Sequence, residues 1–294
     1  MKDYLVRAVA KNESIRIVAV TSTGVVEEAR KRHGTSPVAS AALGRTLTAG
    51  LILSTEIKGE DLLTIRILGD GPLGAIVVTA DGKHRVRGYV QNPSVYLPID
   101  KNGKLPVGKA VGKGVLHVSK DLGLKEPFVG TCELVSGEIA EDIVYYLYRS
   151  EQIPSAVAMG VLIGKDGHIR SAGGILVQIL GDADEETREK LSERFSRLEG
   201  ISSLIDKGYK PEDLIKELKI DFEILDRHPV AFECKCTKEK VEETIASLGS
   251  DEIESIIAEK GEAEVNCHFC GEKYILKQEE LKKLIMDIKN SYDE

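Results

Sequence analysis

Two close cysteine pairs near the C-terminus constrain this 294-residue chain more than any other feature. Cys234-Lys235-Cys236 is a C-x-C pair, and Cys267-His268-Phe269-Cys270 is a C-x-x-C pair. Residues 237–266 lie between them. Two thiol pairs flanking a small fold are the usual grammar of a four-thiolate zinc site, each pair supplying adjacent vertices of a tetrahedron. The candidate ligands of one Zn2+ are therefore Cys234, Cys236, Cys267 and Cys270. His268 and His228 are possible nitrogen donors, but four thiolates already complete the tetrahedron. Val241, Ile245 and Leu248, then Ile253, Ile256 and Ile257, predict two short helices between the pairs. Tyr274-Ile275-Leu276 predicts a strand, and 278–289 a closing helix. A unit of about 65 residues has a thin core, so metal binding supplies much of its folding free energy, on the order of 10–16 kcal/mol in zinc peptides. Four thiolates on one divalent cation leave a charge of about −2. Lys235, Lys238 and Lys273 lie close in sequence and could offset it.

The net charge of −8 is unevenly spread. Residues 1–180 hold 22 basic and 18 acidic residues, 181–227 hold 9 and 14, and 228–294 hold 9 and 16. Glycine divides in the same place, with 22 of 28 before residue 181. Three segments follow: a turn-rich and sheet-rich body 1–180, a charged helical linker 181–227 and a cysteine-bearing domain 228–294. The acidic end opposes nucleic acid, which is bound by Lys and Arg displacing counterions. Met1-Lys2-Asp3-Tyr4 lacks the apolar run of a signal peptide. No apolar stretch nears the ~20 residues needed to span a bilayer. The expectation is a cytoplasmic protein without membrane partners.

Apolar and β-branched runs predict strands at 4–10, 15–22, 62–68, 75–80, 84–90, 128–135, 157–163 and 169–180. Asp81-Gly82 and Asp166-Gly167 are hairpin turn signals between such runs. Helices are predicted at 25–32, 37–54 and 138–150. The second has Ser36 as N-cap and Pro37 at its first position. Its Ala39, Ala41, Ala42, Gly44, Ala49 and Gly50 would permit close packing on a sheet. Strands and helices do not alternate regularly, so the fold class is α+β with mainly antiparallel pairing. In the linker, Leu191, Phe195 and Leu198 recur at helical spacing, followed by Ile201, Leu204 and Ile205, then by Leu214, Ile215 and Leu218. Such short helices need something to pack on. The segment reads as a helical connector covering an apolar surface, or as an ordinary docked helical subdomain.

Some signals lead elsewhere. Gly69-Asp70-Gly71-Pro72-Leu73-Gly74 matches G-x-G-x-x-G, but the strand-like run Ala75–Ala80 follows where a nucleotide site needs a helix. No P-loop pattern occurs, so no nucleotide is expected. A thioredoxin-type C-x-x-C lacks its βαβ context, and Gly271 stands where haem attachment needs His. Cys132, alone in a strand-like run, reads as a buried, inert thiol.

With these residues in place, the sequence resembles the 33-kilodalton heat-shock protein family. The resemblance rests on the cysteine spacing, with Pro229-Val230-Ala231-Phe232 before it and Tyr274 after it. It extends to His33-Gly34-Thr35, Ala39-Ser40-Ala41-Ala42-Leu43-Gly44-Arg45 and Gly71-Pro72-Leu73-Gly74-Ala75. Tyr145-Tyr146, Ser150-Glu151-Gln152-Ile153-Pro154 and Ala172-Gly173-Gly174 complete it. The resemblance implies a redox-regulated, ATP-independent holdase chaperone of the bacterial cytoplasm, with no enzymatic activity. It implies zinc on the four reduced cysteines, and on oxidation the disulfides Cys234–Cys236 and Cys267–Cys270. Loss of zinc would then unfold the switch domain and linker, and a homodimer would bind unfolding clients. An i, i+2 bridge approaches the ~6.8 Å Cα limit for a disulfide and suits a reversible switch. Leu191, Phe195, Leu198, Ile201, Leu204 and Ile205 are the client-docking candidates. Two rival readings stay open: a constitutive zinc module binding a protein partner, and a thiol oxidoreductase, which would need one strongly acidic thiol.

Overall fold

The computed structural model describes residues 2–10, 15–101, 103–181 and 185–291. The chain divides into two compact units, Met1–Glu233 and Cys234–Glu294.

The first unit opens with β1 (Tyr4–Ala10) and β2 (Ile15–Thr21), then α1 (Thr23–His33) and α2 (Pro37–Leu53). Next come β3 (Leu62–Gly69), β4 (Ala75–Asp81), β5 (Arg85–Val90), the short α3 (Val107–Val111), β6 (Gly114–Asp121) and β7 (Phe128–Glu133). α4 (Ala140–Tyr146), β8 (Ser155–Ile163) and β9 (Ile169–Ile179) follow. The unit ends with α5 (Glu185–Ser196), α6 (Ile201–Asp206), α7 (Pro211–Glu217), β10 (Phe222–Pro229) and β11 (Ala231–Phe232). Five strands pair antiparallel in the order β10-β1-β2-β9-β8. Six form a second sheet, β11-β5-β4-β3-β6-β7, antiparallel except for β11 on β5. The expected α+β class with mainly antiparallel sheets is what the chain adopts.

α2 packs against strands of both sheets and is buried almost throughout. The Ser36 side chain caps it, accepting from Ala39 N at 3.3 Å. Its glycines set the approach. A Cβ on Gly44 would lie 2.9 Å from Val161 of β8, and one on Gly50 2.9 Å from Val78 of β4. With the turn that continues it, the helix spans Pro37–Glu56 and is long and apolar enough to cross a membrane by length and composition. That corrects the expectation that no such stretch exists. Since 94% of its apolar window is buried within the protein, it is a core helix.

The five-stranded sheet is apolar on both faces, which explains why every residue of β2 but the half-buried Arg16 is buried. Leu5, Val18, Val20 and Leu176 join the core around α2. Val6, Ala8, Ile17, Ala19, Ile175 and Val177 face the other way, where Leu191, Ile201, Leu204, Leu214, Ile215 and Leu218 cover them. α6 sits on a notch made by the cross-strand partners Gly160 and Gly173. A Cβ on Gly160 would meet Ser202 Oγ at 2.8 Å, and one on Gly173 would meet Ile205 Cδ1 at 2.4 Å.

The turns behave as their residues dictate. Gly69–Gly74 joins β3 to β4, so the glycine motif is a strand connection. A Cβ on Gly69 would lie 1.9 Å from the Val111 carbonyl oxygen, which is why glycine is needed there. Asp81-Gly82 and Asp166-Gly167 turn the β4–β5 and β8–β9 hairpins. The fully buried Asp142 accepts from the N–H groups of Val135, Ser136, Gly137 and Ile139 and seats α4. Glu151, in the π turn that extends α4, accepts from Lys120 Nζ at 2.7 Å and from the Tyr146 hydroxyl at 2.5 Å.

Four strands were not anticipated: β6, β10, the two-residue β11 and, in the second unit, Glu262–Asn266. β6 pairs centrally with β3, burying Leu116 and Val118. β10 falls in a segment read as helical. Its Phe222, Ile224, Asp226 and His228 alternate inward along β1. The chain then passes to the other sheet, where Glu233 N donates to Val86 O at 2.9 Å. His228 lies edge-on to His84 of the β4–β5 turn, ring centroids 4.8 Å apart.

The second unit comprises α8 (Lys238–Ala246), α9 (Ser250–Lys260), the hairpin β12 (Glu262–Asn266) and β13 (Lys273–Lys277), and α10 (Gln278–Ser291). Its small core gathers Val241, Ile245, Ile253, Ala263, Leu276, Leu281 and Ile285. The two inter-pair helices, the strand and the closing helix are those the apolar spacing predicts.

Candidate metal centre

Cys234 and Cys236 lie on the extended segment that leads into α8, whose first turn is capped by Thr237 accepting from Lys240 N. Cys267 and Cys270 occupy the turn of the β12–β13 hairpin. That turn closes through Cys267 N to Glu272 O at 2.9 Å and Gly271 N to Cys267 O at 2.8 Å. Gly271 takes the left-handed conformation the turn requires, with φ 71°. The inter-pair helices therefore return the chain so that the two cysteine pairs meet.

All four sulfurs lie within 4.8 Å of one another. Cys234 Sγ is 3.8 Å from Cys267 Sγ, and Cys236 Sγ is 3.3 Å from Cys270 Sγ. A tetrahedron with Zn–S bonds of about 2.3 Å has S–S edges of about 3.8 Å. The donor set and its spacing thus fit a tetrathiolate metal. Among the described residues no other group of three or more His, Cys, Asp or Glu is gathered this way.

The electrostatics also call for a cation. Burial pushes the Cys234 and Cys270 thiols up, with neighbouring sulfurs adding to it. Burial raises Cys236 too, but hydrogen bonds from the Tyr274 hydroxyl and the other thiols outweigh it, and Cys236 ends below the ordinary thiol range. Without a metal the cluster resists full ionisation; a divalent cation would remove that resistance. Two of the three nearby lysines are engaged with carboxylates. Lys238 pairs with Glu280, and Lys273 Nζ lies 2.6 Å from Glu264. The Tyr274 contact was not legible in the sequence, where the residue marked only a strand and the resemblance. Its hydroxyl is 3.2 Å from both Cys236 Sγ and Cys236 O.

The other candidates lie in the first unit. Leu191, Ile201 and Leu204 are buried, and Phe195, Leu198 and Ile205 half-buried, all against the outer face of the five-stranded sheet. Cys132 is buried, and burial pushes its thiol up, which suits an inert residue. His228 belongs to the His84 contact, and neither it nor His268 is part of the sulfur cluster.

Comparison with known proteins gives this arrangement its context. The family model described as "Hsp33 protein" matches residues 3–277. The 33 kDa chaperonin of Desulforamulus reducens is 52% identical, covering 98% of this chain and 99% of that protein. That of Bacillus subtilis is 49% identical, covering 96% and 98%. The crystal structure of the 33 kDa chaperonin of Thermotoga maritima superposes with a TM-score of 0.91 at 36% identity over the full length of both chains. These relatives are named as chaperones, not for a catalysed reaction. Sequence, fold and the meeting of four cysteines converge, and the chain belongs to the Hsp33 family.

Proposed function

We propose that this protein is a redox-regulated, ATP-independent holdase of the bacterial cytoplasm, inactive when reduced and zinc-loaded. The observation that carries the proposal is the cluster of four sulfurs in a unit whose own core is small. Zn2+ bound by Cys234, Cys236, Cys267 and Cys270 would hold all four as thiolates and tie the segment before α8 to the β12–β13 turn. A hypochlorous acid molecule converts one thiolate to a sulfenyl chloride with release of hydroxide. The neighbouring thiolate displaces chloride, and the pair becomes a disulfide after losing two electrons to the oxidant. Two such events give Cys234–Cys236 and Cys267–Cys270. Disulfides within each pair leave nothing joining the pairs, and a small core cannot replace that link.

The functional division is then a body of 1–180, a linker of 181–227 and a switch of 228–294. The linker helices cover the apolar face carried by Val6, Ala8, Ile17, Ala19, Ile175 and Val177. Their release opens this face and turns out Leu191, Phe195, Leu198, Ile201, Leu204 and Ile205, so both surfaces become available to unfolding clients. The active form is a homodimer and uses no nucleotide.

The test follows zinc release with a chromogenic chelator during hypochlorite treatment, then light scattering of a heat-unfolding client. Suppression of aggregation only after oxidation supports the proposal. Equal suppression by the reduced and oxidised forms would instead identify a constitutive zinc module.

A further inference from the structure

Tyr274 stands on β13, registered opposite Val265 of β12 and packed on the small core of the second unit. Sheet pairing and packing fix its ring, so the hydroxyl is held at a set position rather than sampling many. Its oxygen lies 3.2 Å from Cys236 Sγ and 3.2 Å from the Cys236 carbonyl oxygen. One O–H must choose between these acceptors or share itself. A thiolate carries full charge and a carbonyl does not, and charge-assisted hydrogen bonds are about twice as strong as neutral ones. Once Cys236 is ionised, the sulfur is the better acceptor.

We propose that Tyr274 is a positioning residue of the metal centre, whose hydroxyl donates to the Cys236 sulfur and lowers that sulfur's reactivity toward oxidants. The inference rests on the tetrathiolate reading above and adds an order to it. A donated hydrogen bond draws electron density from the sulfur lone pairs, the same electrons that attack an oxidant. Thiolate nucleophilicity follows basicity with a slope of about 0.4–0.5, so loss of a donor that makes a sulfur tenfold more basic speeds its oxidation about threefold. Tyr274 thereby raises the oxidant level needed to open the site and biases the first hit away from Cys236.

The experiment uses the full-length, zinc-loaded protein and Tyr274→Phe. Hydrogen peroxide is added in excess. Differential alkylation and mass spectrometry then give the rate of thiol loss at each cysteine. The expected result is a rise in the Cys236 rate relative to Cys267, about threefold for each tenfold gain in basicity, with zinc stoichiometry unchanged. An unchanged Cys236-to-Cys267 ratio in a folded, zinc-loaded variant overturns the proposal. Should the phenylalanine variant not fold, replacing Tyr274 with 3-fluorotyrosine keeps the ring and strengthens the donor. It should slow Cys236 oxidation, and a rate equal to or above that of the parent protein overturns the proposal as well. Both readouts are independent of chaperone activity. Failure of the holdase reading would appear as absent client binding with the rate ratios intact. Failure of this one would appear as intact client switching with unmoved ratios.

Discussion

Acidification should loosen the first unit through one residue, His84. It is 6% exposed and sits at the β4–β5 turn, with its Nδ1 2.8 Å from Ser54 Oγ. Its protonation is opposed by burial, then by His228 and by Arg7, while Asp226 and Asp81 pull weakly the other way. The balance holds its pKa at about 4, below the ordinary 6.5. A base depressed in the folded state gives stability that is complete above the unfolded value. That stability is lost as the pH falls from 6.5 toward 4. The full loss is about 3 kcal/mol, of which about 2 kcal/mol falls between pH 7 and pH 5. His84→Asn tolerates the left-handed backbone at this position, φ 60°, and removes the titration. The assay is native-state hydrogen exchange of the β4 and β5 amides in reduced protein, corrected for intrinsic rates at each pH. Opening free energy should fall by about 2 kcal/mol more in the parent than in the variant over this interval. Parallel curves would refute the reasoning, whatever constant offset the lost Ser54 contact adds.

Three further outcomes are expected. Cys267→Ser should weaken zinc binding at least about tenfold in chelator competition and reduce the helical circular dichroism of α8–α10; wild-type values in both would remove Cys267 from the ligand set. Gly160→Ala should push Ser202 off the glycine notch, at a cost of about 1–3 kcal/mol. Exchange across α6 should quicken while zinc stays bound, and unchanged α6 protection would show that the notch does not set its docking. Asp142→Ala strands four backbone donors and should cost at least about 3 kcal/mol in urea unfolding, with Asp142→Asn in between; a loss under 1 kcal/mol would mean the 135–139 turn finds other acceptors.

The legible parts were those where one local rule decides. The α8, α9 and α10 periodicity and the cysteine spacing each point to one structure, and Ser36-Pro37 marks a helix start without ambiguity. β10 was hidden because its inward positions include the polar Asp226 and His228, whose partners across the fold, Arg7 and His84, leave no local mark. β6 was hidden by His117 and Lys120 inside a short run. Pro37–Glu56 misled for the opposite reason, since small residues that serve close packing lower the apolar signal of a helix that is almost wholly buried. The sulfur cluster was readable as a ligand set, whereas the Tyr274 hydroxyl at Cys236 depends on β13 register and leaves no mark in spacing.

The segment from Phe222 to Glu233 borders one sheet as β10 and the other as β11. Its mechanics follow from how it is attached. Tension applied at Glu233 first meets the Glu233–Val86 bond and the two-residue β11 pairing. It then reaches β10 at Pro229, opposite Tyr4 at the start of β1. Antiparallel pairing loaded from one end opens like a zipper, bond after bond, so the resisting force never exceeds a few hydrogen bonds at a time. The register shift at Arg7/Ala8, with the Arg7–Asp226 ion pair beside it, interrupts the tear midway. Detachment is therefore stepwise, with a resting point that leaves Phe222 and Ile224 still paired to β1. From that point the strand re-closes by rewinding four residue pairs, Arg7 through Tyr4, without searching for its register.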